Sequence, residues 1–517
     1  MRTHWTWRAI FGFLTLAACE KAAAPIAADF DVGGSDLQIA PVDVAADTAQ
    51  APADSDGTDV AALTDAVADG QPAAELPVLD AAPELAPTDL IATDAQQSDA
   101  PAGQSDAPAG QPDAPTVPTC AVVKPLPALV PAPQPTGLAV HEWGTFTSMQ
   151  NAAGQTLEGM HHEDEPLPAF VHGRLVDGSK SKGVEVLAEE VTQKMETPVI
   201  YFHAAKAVDV TVKVDFPLGI IGQWFPDAQA FLPPLKDPPL LQNGSMTWIA
   251  HVDPALQMSA APAVDAKSIW FPSRQTSATP IKAAGEVERL IFYRGLGKFT
   301  LPLVVTHAAD GTVSIKNSDA LAVPSALLLR VDASGTGDAV AVGPIPPGAT
   351  IKVATPTLAC ADATDHARTL LRDALMGAGL YDDESRALLD TWQHSYFQTP
   401  GLRLLYVLPQ PWTEGLLPMA LTPKPDALVR VLVGRVEVLT AAEEAATLAN
   451  LKAWYTVWNA GVSWQGVKPL LAKDRFLEAK LRSLQPSVTE PTHKMFLENL
   501  LTEMDGQVII PAPVSQP

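Results

Sequence analysis

Ala207-Val208-Asp209-Val210-Thr211-Val212-Lys213-Val214-Asp215-Phe216 puts an apolar residue at every second position from Val208 and polar ones between. A backbone of period two sends alternate side chains to opposite faces, so the segment reads as a strand with one face in a core and one in water. Shorter runs of the same kind occur at 198–203, 246–252, 287–293, 299–306, 312–316, 326–331 and 350–354. Turn-rich pieces such as Asp310-Gly311 and Pro346-Pro347-Gly348 separate them, with no strong helical period between. Many short strands without intervening helices predict an antiparallel β-sandwich or jelly-roll-like domain, which we place at 120–360.

Beyond Cys360 the period becomes helical. Residues 366–376 read as an amphipathic helix behind Asp365, stopped by Gly377 and Gly379, and 383–397 as another. Two apolar strands, 402–408 and 427–439, follow. Thr440-Ala441-Ala442-Glu443 is a capping box opening a helix that carries Leu448, Leu451, Trp454, Tyr455 and Trp458. Helices at 469–484 and 490–504 complete a mixed, mostly helical part, 361–517. The fold class expected is therefore α+β.

The front of the chain has a different composition. Arg2 and Arg8 precede an apolar stretch of eight residues, 9–16, which is shorter than the roughly 20 needed to span a bilayer, so 1–18 reads as an export signal. Leu16-Ala17-Ala18-Cys19 resembles the lipobox of bacterial lipoproteins, which implies acylation of Cys19 and a membrane anchor at the mature N-terminus. Residues 20–119 hold nineteen acids against one base, Lys21, and contribute −18 of the net −25. With Phe30 as its only aromatic and Ser-Asp-Ala-Pro-Ala-Gly-Gln repeated at 98–104 and 105–111, the 19–119 arm is expected to be a disordered tether. The alternative is low-complexity sequence under no demand but solubility. No Lys/Arg cluster offers a surface for a phosphate backbone, which excludes a nucleic-acid partner. In an oxidising compartment the remaining cysteines, Cys120 and Cys360, are candidates for a disulfide closing a loop of about 240 residues.

Val140-His141-Glu142-Trp143-Gly144-Thr145-Phe146-Thr147-Ser148 and Met195-Glu196-Thr197-Pro198-Val199-Ile200-Tyr201-Phe202 resemble a family of exported bacterial proteins whose mature domain begins with an HEWGTFTS-like segment. The resemblance extends through Phe292-Tyr293-Arg294-Gly295, Leu404-Leu405-Tyr406-Val407 and Arg430-Val431-Leu432-Val433-Gly434-Arg435. It implies an exported origin and brings no mechanism with it.

Two sets of residues are candidates for chemistry. His141, Glu142, His161, His162, Glu196 and His203 are imidazoles and carboxylates, the donors a catalytic divalent ion takes; three of them with one open position would activate water. No HExxH or CxxC spacing ties them together, and His141-Glu142 is followed by Trp143-Gly144. Against a metal stands the reading that 161–165 is a solvated charged loop and that His141 and Glu142 pair with backbone or arginine. Such a site requires the first strand and the strand ending at His203 to be neighbours, with the 161–162 loop folded over the same edge. Trp224 and Trp270, each in a Trp-Phe-Pro triplet, are candidates for stacking on sugar or protein, with core packing as the alternative. Arg294, Arg403, Arg430 and Arg435 are expected to pair with acids such as Glu437 or Glu196. Gly461-Val462-Ser463-Trp464-Gln465-Gly466 misses G-x-S-x-G by one residue and follows a helix, which argues against a serine hydrolase.

These features suggest first a lipid-anchored protein of the bacterial cell envelope, on the outer membrane or a periplasm-facing membrane, whose globular part binds an envelope polysaccharide or protein. The second reading is a metal-dependent hydrolase using the N-terminal His/Glu set.

Overall fold

The alternation at 207–216 becomes a strand that starts one residue later. In a computed structural model of the chain, Val208–Phe216 buries Val210, Val212, Val214 and Phe216 and exposes Asp209 and Lys213. The structure describes residues 126–162, 166–174, 190–234, 241–461 and 474–505. The signal 1–18, Cys19, the arm, Cys120, Glu163 to Glu165 and the 462–466 part of the near-miss motif lie outside the described residues.

The fold is α+β, mostly strands with a few helices, built on open sheets. Nine strands form the largest, in the order Gly337–Ala341, Ser325–Val331, Gly401–Val407, Ala427–Leu439, Leu138–Asn151, Gln193–Ala204, Leu290–Gly297, Gly219–Phe225 and His172–Gly173. Its neighbours pair antiparallel except at the centre, where Leu138–Asn151 runs parallel to Ala427–Leu439 from Ala139↔Ala427 to Asn151↔Leu439. A strand buried on both faces shows continuous rather than alternating burial, as Gln193–Ala204 does along its whole length.

One core lies on each face of this sheet. On the first, Val140, Phe146, Ile200, Phe202 and Tyr293 meet Val212, Val214 and Trp248 of a six-stranded sheet and Val305, Val313 and Ile315 of a three-stranded one. On the second, Trp143, Val199, Tyr201, Leu405, Val431 and Val433 meet Leu371 and Leu375 of the helix Ala363–Gly377 and Leu388 and Leu389 of the helix Asp382–Thr391. The expected sandwich is thus one side of a three-layer arrangement whose other side is helical.

The expected boundary near 360 does not separate two cores. Strands Gly401–Val407 and Ala427–Leu439 sit between Ser325–Val331 and Leu138–Asn151 in the same sheet, and the described residues fall in one compact unit. An amphipathic helix shows the same period whether it covers a sheet of its own half or of another, which is why periodicity suggested a division. Helices Ala441–Asn459, Leu477–Leu484 and Pro491–Asp505 gather a smaller core around Leu451, Leu481, Phe496 and Leu500.

A bulge in the Gln193 strand decides what the helical face carries. Trp143 pairs with Val199 but Thr145 pairs with Glu196, so one extra residue sits on the Gln193 strand. A bulge of one residue inverts the side-chain parity beyond it. Val199, Tyr201 and His203 therefore share a face with Glu196 and Lys194, opposite Met195, Ile200 and Phe202. Thr197 adopts φ 43° at the bulge, a strained value for a β-branched residue. Gly144 faces it, and a Cβ there would lie 2.9 Å from the Pro198 backbone.

Candidate metal centre

His141 and His203 sit on neighbouring strands with the same parity: His141 is opposite Tyr201, two residues from His203. Their rings lie 5.0 Å apart on the helical face. The third group is Glu384, in the first turn of the helix Asp382–Thr391. Its Oε2 faces His141 Nδ1 at 2.9 Å and its Oε1 faces His203 Nε2 at 2.8 Å. Oε2 also accepts the Tyr381 backbone N–H at 2.9 Å, so helix capping and the imidazoles use one carboxylate. Burial alone would raise the Glu384 carboxyl, yet the hydrogen bonds from His141 and His203 hold it below its ordinary value.

All three side chains are buried, and one ligand atom from each falls within 4.8 Å of the others. Groups sharing an ion at about 2.0–2.2 Å lie about 3 Å apart, and the carboxylate stands 2.9 and 2.8 Å from the two imidazoles. The Tyr381 ring packs 4.5 Å from His141 and 4.9 Å from His203. Two imidazoles and one carboxylate suit zinc and other borderline transition metals.

Glu142 and Glu196, expected in the same set, are placed elsewhere. Glu142 points to the opposite face, where the Tyr293 hydroxyl donates to Oε1 and Arg430 Nε donates to Oε2 at 2.7 Å. Glu196 shares the helical face but lies beyond the bulge. Arg475 donates to its Oε1 at 2.6 Å, Lys194 stands 3.5 Å away, and Thr147 and Tyr396 donate to Oε2. Burial alone would raise this carboxyl, but Arg475, Lys194 and Arg435 hold it down at about 2. Beside it Arg403 and Arg435 pair with Glu437 at 2.9 and 2.6 Å, and the Arg435 guanidinium lies 4.5 Å over the Tyr396 ring. The expected arginine pairs are thus present for Arg403, Arg430 and Arg435, and Arg294 Nε donates to the Gln223 side chain.

His161 and His162 do not fold over the His141 edge. They lie with Glu478 of the helix Leu477–Leu484, and all three are buried. His162 Nε2 is 2.5 Å from Glu478 Oε2, and Arg482 Nε donates to Oε1 at 2.8 Å. Burial, with His162, Lys194 and Arg482 nearby, pushes the His161 imidazole down to about 2, so it is neutral. The solvated-loop expectation fails for both histidines, because Met160, Phe476 and Ala479 form a small core around this turn.

Trp224 and Trp270 are each 3% exposed. Trp270 packs on Phe292 and donates Nε1 to Glu288, and Trp224 belongs to the inter-sheet core, so neither presents a face for stacking. Cys360 is disulfide-bonded and bridges Gly337 through its backbone; its expected partner, Cys120, is outside the described residues. Glu384 and Glu478 escaped sequence reasoning. An acid in a first helical turn is ordinary dipole chemistry, and nothing in the sequence links it to a histidine 243 residues away.

The chain matches no family model and no curated protein. Among solved structures it is similar to the yeast delta-COP-I mu-homology domain, with a WxWxV peptide (6% identity, 59% of this chain and 98% of that one, TM-score 0.22) and alone (7%, 59% and 97%, TM-score 0.22). Similarity at that level carries no argument about fold or function.

Proposed function

We propose that the protein is a lipid-anchored protein of the bacterial cell envelope whose folded part is a divalent-metal protein, with His141, His203 and Glu384 as ligands. The observation that carries the metal reading is the convergence of three buried donors from two strands and a helix, 243 and 181 residues apart in sequence. The two imidazoles now pair with the carboxylate, and an ion would replace the shared protons with three coordinate bonds. Three protein ligands leave coordination for water, so the reaction class the set supports is metal-assisted hydrolysis. The reading of the folded part as a module stacking an envelope polymer on Trp224 or Trp270 is weakened by their burial. The lipobox-like Leu16 to Cys19 and the acidic arm support the anchor and tether. Among the described residues no helix is long and apolar enough to cross a membrane.

The test is metal analysis of the full chain purified without added chelator. About one equivalent of a transition metal is expected at this site, lost in Glu384→Gln and His203→Ala with the circular dichroism spectrum retained. Metal content unchanged in both variants would remove the reading. Cys19→Ser is expected to shift the protein out of the membrane fraction.

A further inference from the structure

His161 is 7% exposed, and neither of its ring nitrogens has a hydrogen-bond partner. Its Nε2 stands 3.4 Å from Glu478 Oε2, within ion-pair reach but without hydrogen-bond geometry. His162 Nδ1 is buried and unpartnered as well. A buried polar atom left unpaired costs about 1–3 kcal/mol, and native proteins keep few of them. Here three such atoms sit on two adjacent imidazoles whose rings are 4.0 Å apart, facing one carboxylate oxygen. The backbone is shaped for this approach: Gly159 has φ 88°, and a Cβ there would come 2.9 Å from Glu478 Oε1.

We propose that His161, His162 and Glu478 form a second metal site, taking a zinc-class transition-metal ion. It shares no residue with the His141 set and does not depend on it. The ligand atoms are His161 Nε2, His162 Nε2 and Glu478 Oε2, the oxygen standing 3.4 and 2.5 Å from the two nitrogens; one donor atom from each residue lies within 4.8 Å of the others. Arg482, donating to Glu478 Oε1, orients the carboxylate from outside, as the outer partners of metal ligands do. Lys194 anchors the other side by donating to the His162 carbonyl oxygen. Those two cations oppose a hard ion held by charge alone, so calcium and magnesium, which need oxygen donors, do not suit the site. Imidazole donors bind a zinc-class ion by coordination and tolerate the local charge better. A cleft is lined by Leu157, Glu158 and Arg482, the last of which holds the Glu478 carboxylate. The ion would pin the helix Leu477–Leu484 to the turn at 157–162.

The experiment is zinc titration of the metal-stripped full chain by equilibrium dialysis. Two equivalents are expected for wild type and one each for His161→Ala and Glu384→Gln. Arg482→Met is expected to weaken one site by roughly 10- to 100-fold while keeping the stoichiometry. One wild-type equivalent that is lost in His161→Ala and kept in Glu384→Gln supports this site and defeats the His141 centre. One equivalent lost only in Glu384→Gln, or no zinc bound at all, overturns this site. Should His161→Ala fail to fold, zinc titration of Glu384→Gln decides: one equivalent retained is expected, and none retained overturns the proposal.

Discussion

Two ends of one sheet face differ in how they handle buried charge. At the His141 end, two imidazoles share a single carboxylate, Glu384. Beyond the bulge, Lys194, Arg403, Arg435 and Arg475 crowd around Glu196 and Glu437. The first group is the one we propose receives a cation, and the second already contains its cations. The Gln193 strand contributes to both, His203 to the first and Lys194 and Glu196 to the second, and the extra residue at Thr197–Pro198 puts these side chains on one face. Donor type, not burial, distinguishes a candidate metal site from a structural ion-pair network.

The largest effect should come from removing the bulge. Deleting Thr197 would turn either Glu196 and Lys194 or Tyr201 and His203 into the opposite core, and no folded protein is expected. A deletion variant with a wild-type melting temperature would show that the bulge does not control parity. Arg475→Met comes next, since it strands Glu196 with less compensation. About 3–5 kcal/mol is expected from urea unfolding, with Glu196→Gln/Arg475→Met costing less than the sum of the single changes.

The pH response should also separate the two ends. Glu196 has a folded-state pKa of about 2, below its ordinary value near 4.5. A depressed carboxyl gives stability that is fully present above the unfolded value and lost as pH falls toward the folded one. Urea midpoints are expected to fall between about pH 4.5 and 2, and less steeply in Glu196→Gln. An identical slope in the variant would contradict the network's role. The smallest effect is expected at Trp270→Phe, about 1 kcal/mol from the lost bond to Glu288, with metal content unchanged.

Much of the strand layout was legible because alternation reports a one-sided core: Val208–Phe216 has the pattern its residues predict, and Ala427–Leu439 has the predicted bounds. The layering was not legible. The Ala363–Gly377 helix shows the same apolar stripe whichever sheet it covers. The bulge was hidden because Gln193–Ala204 is buried on both faces and carries no alternation to interrupt. His141 and His203 were found by donor type, and their meeting depended on strand adjacency that spacing does not encode. Glu384 and Glu478 were hidden among the acids and bases of ordinary amphipathic helices. The string from His161 looked solvated because its charged half follows two histidines that the Met160 and Phe476 core buries.

The most direct measurement is a crystal structure of the zinc-saturated full chain with anomalous data at the zinc edge. The account predicts a peak about 2.0–2.2 Å from His141, His203 and Glu384 together. No peak there, with the three side chains still paired only to one another, would contradict it.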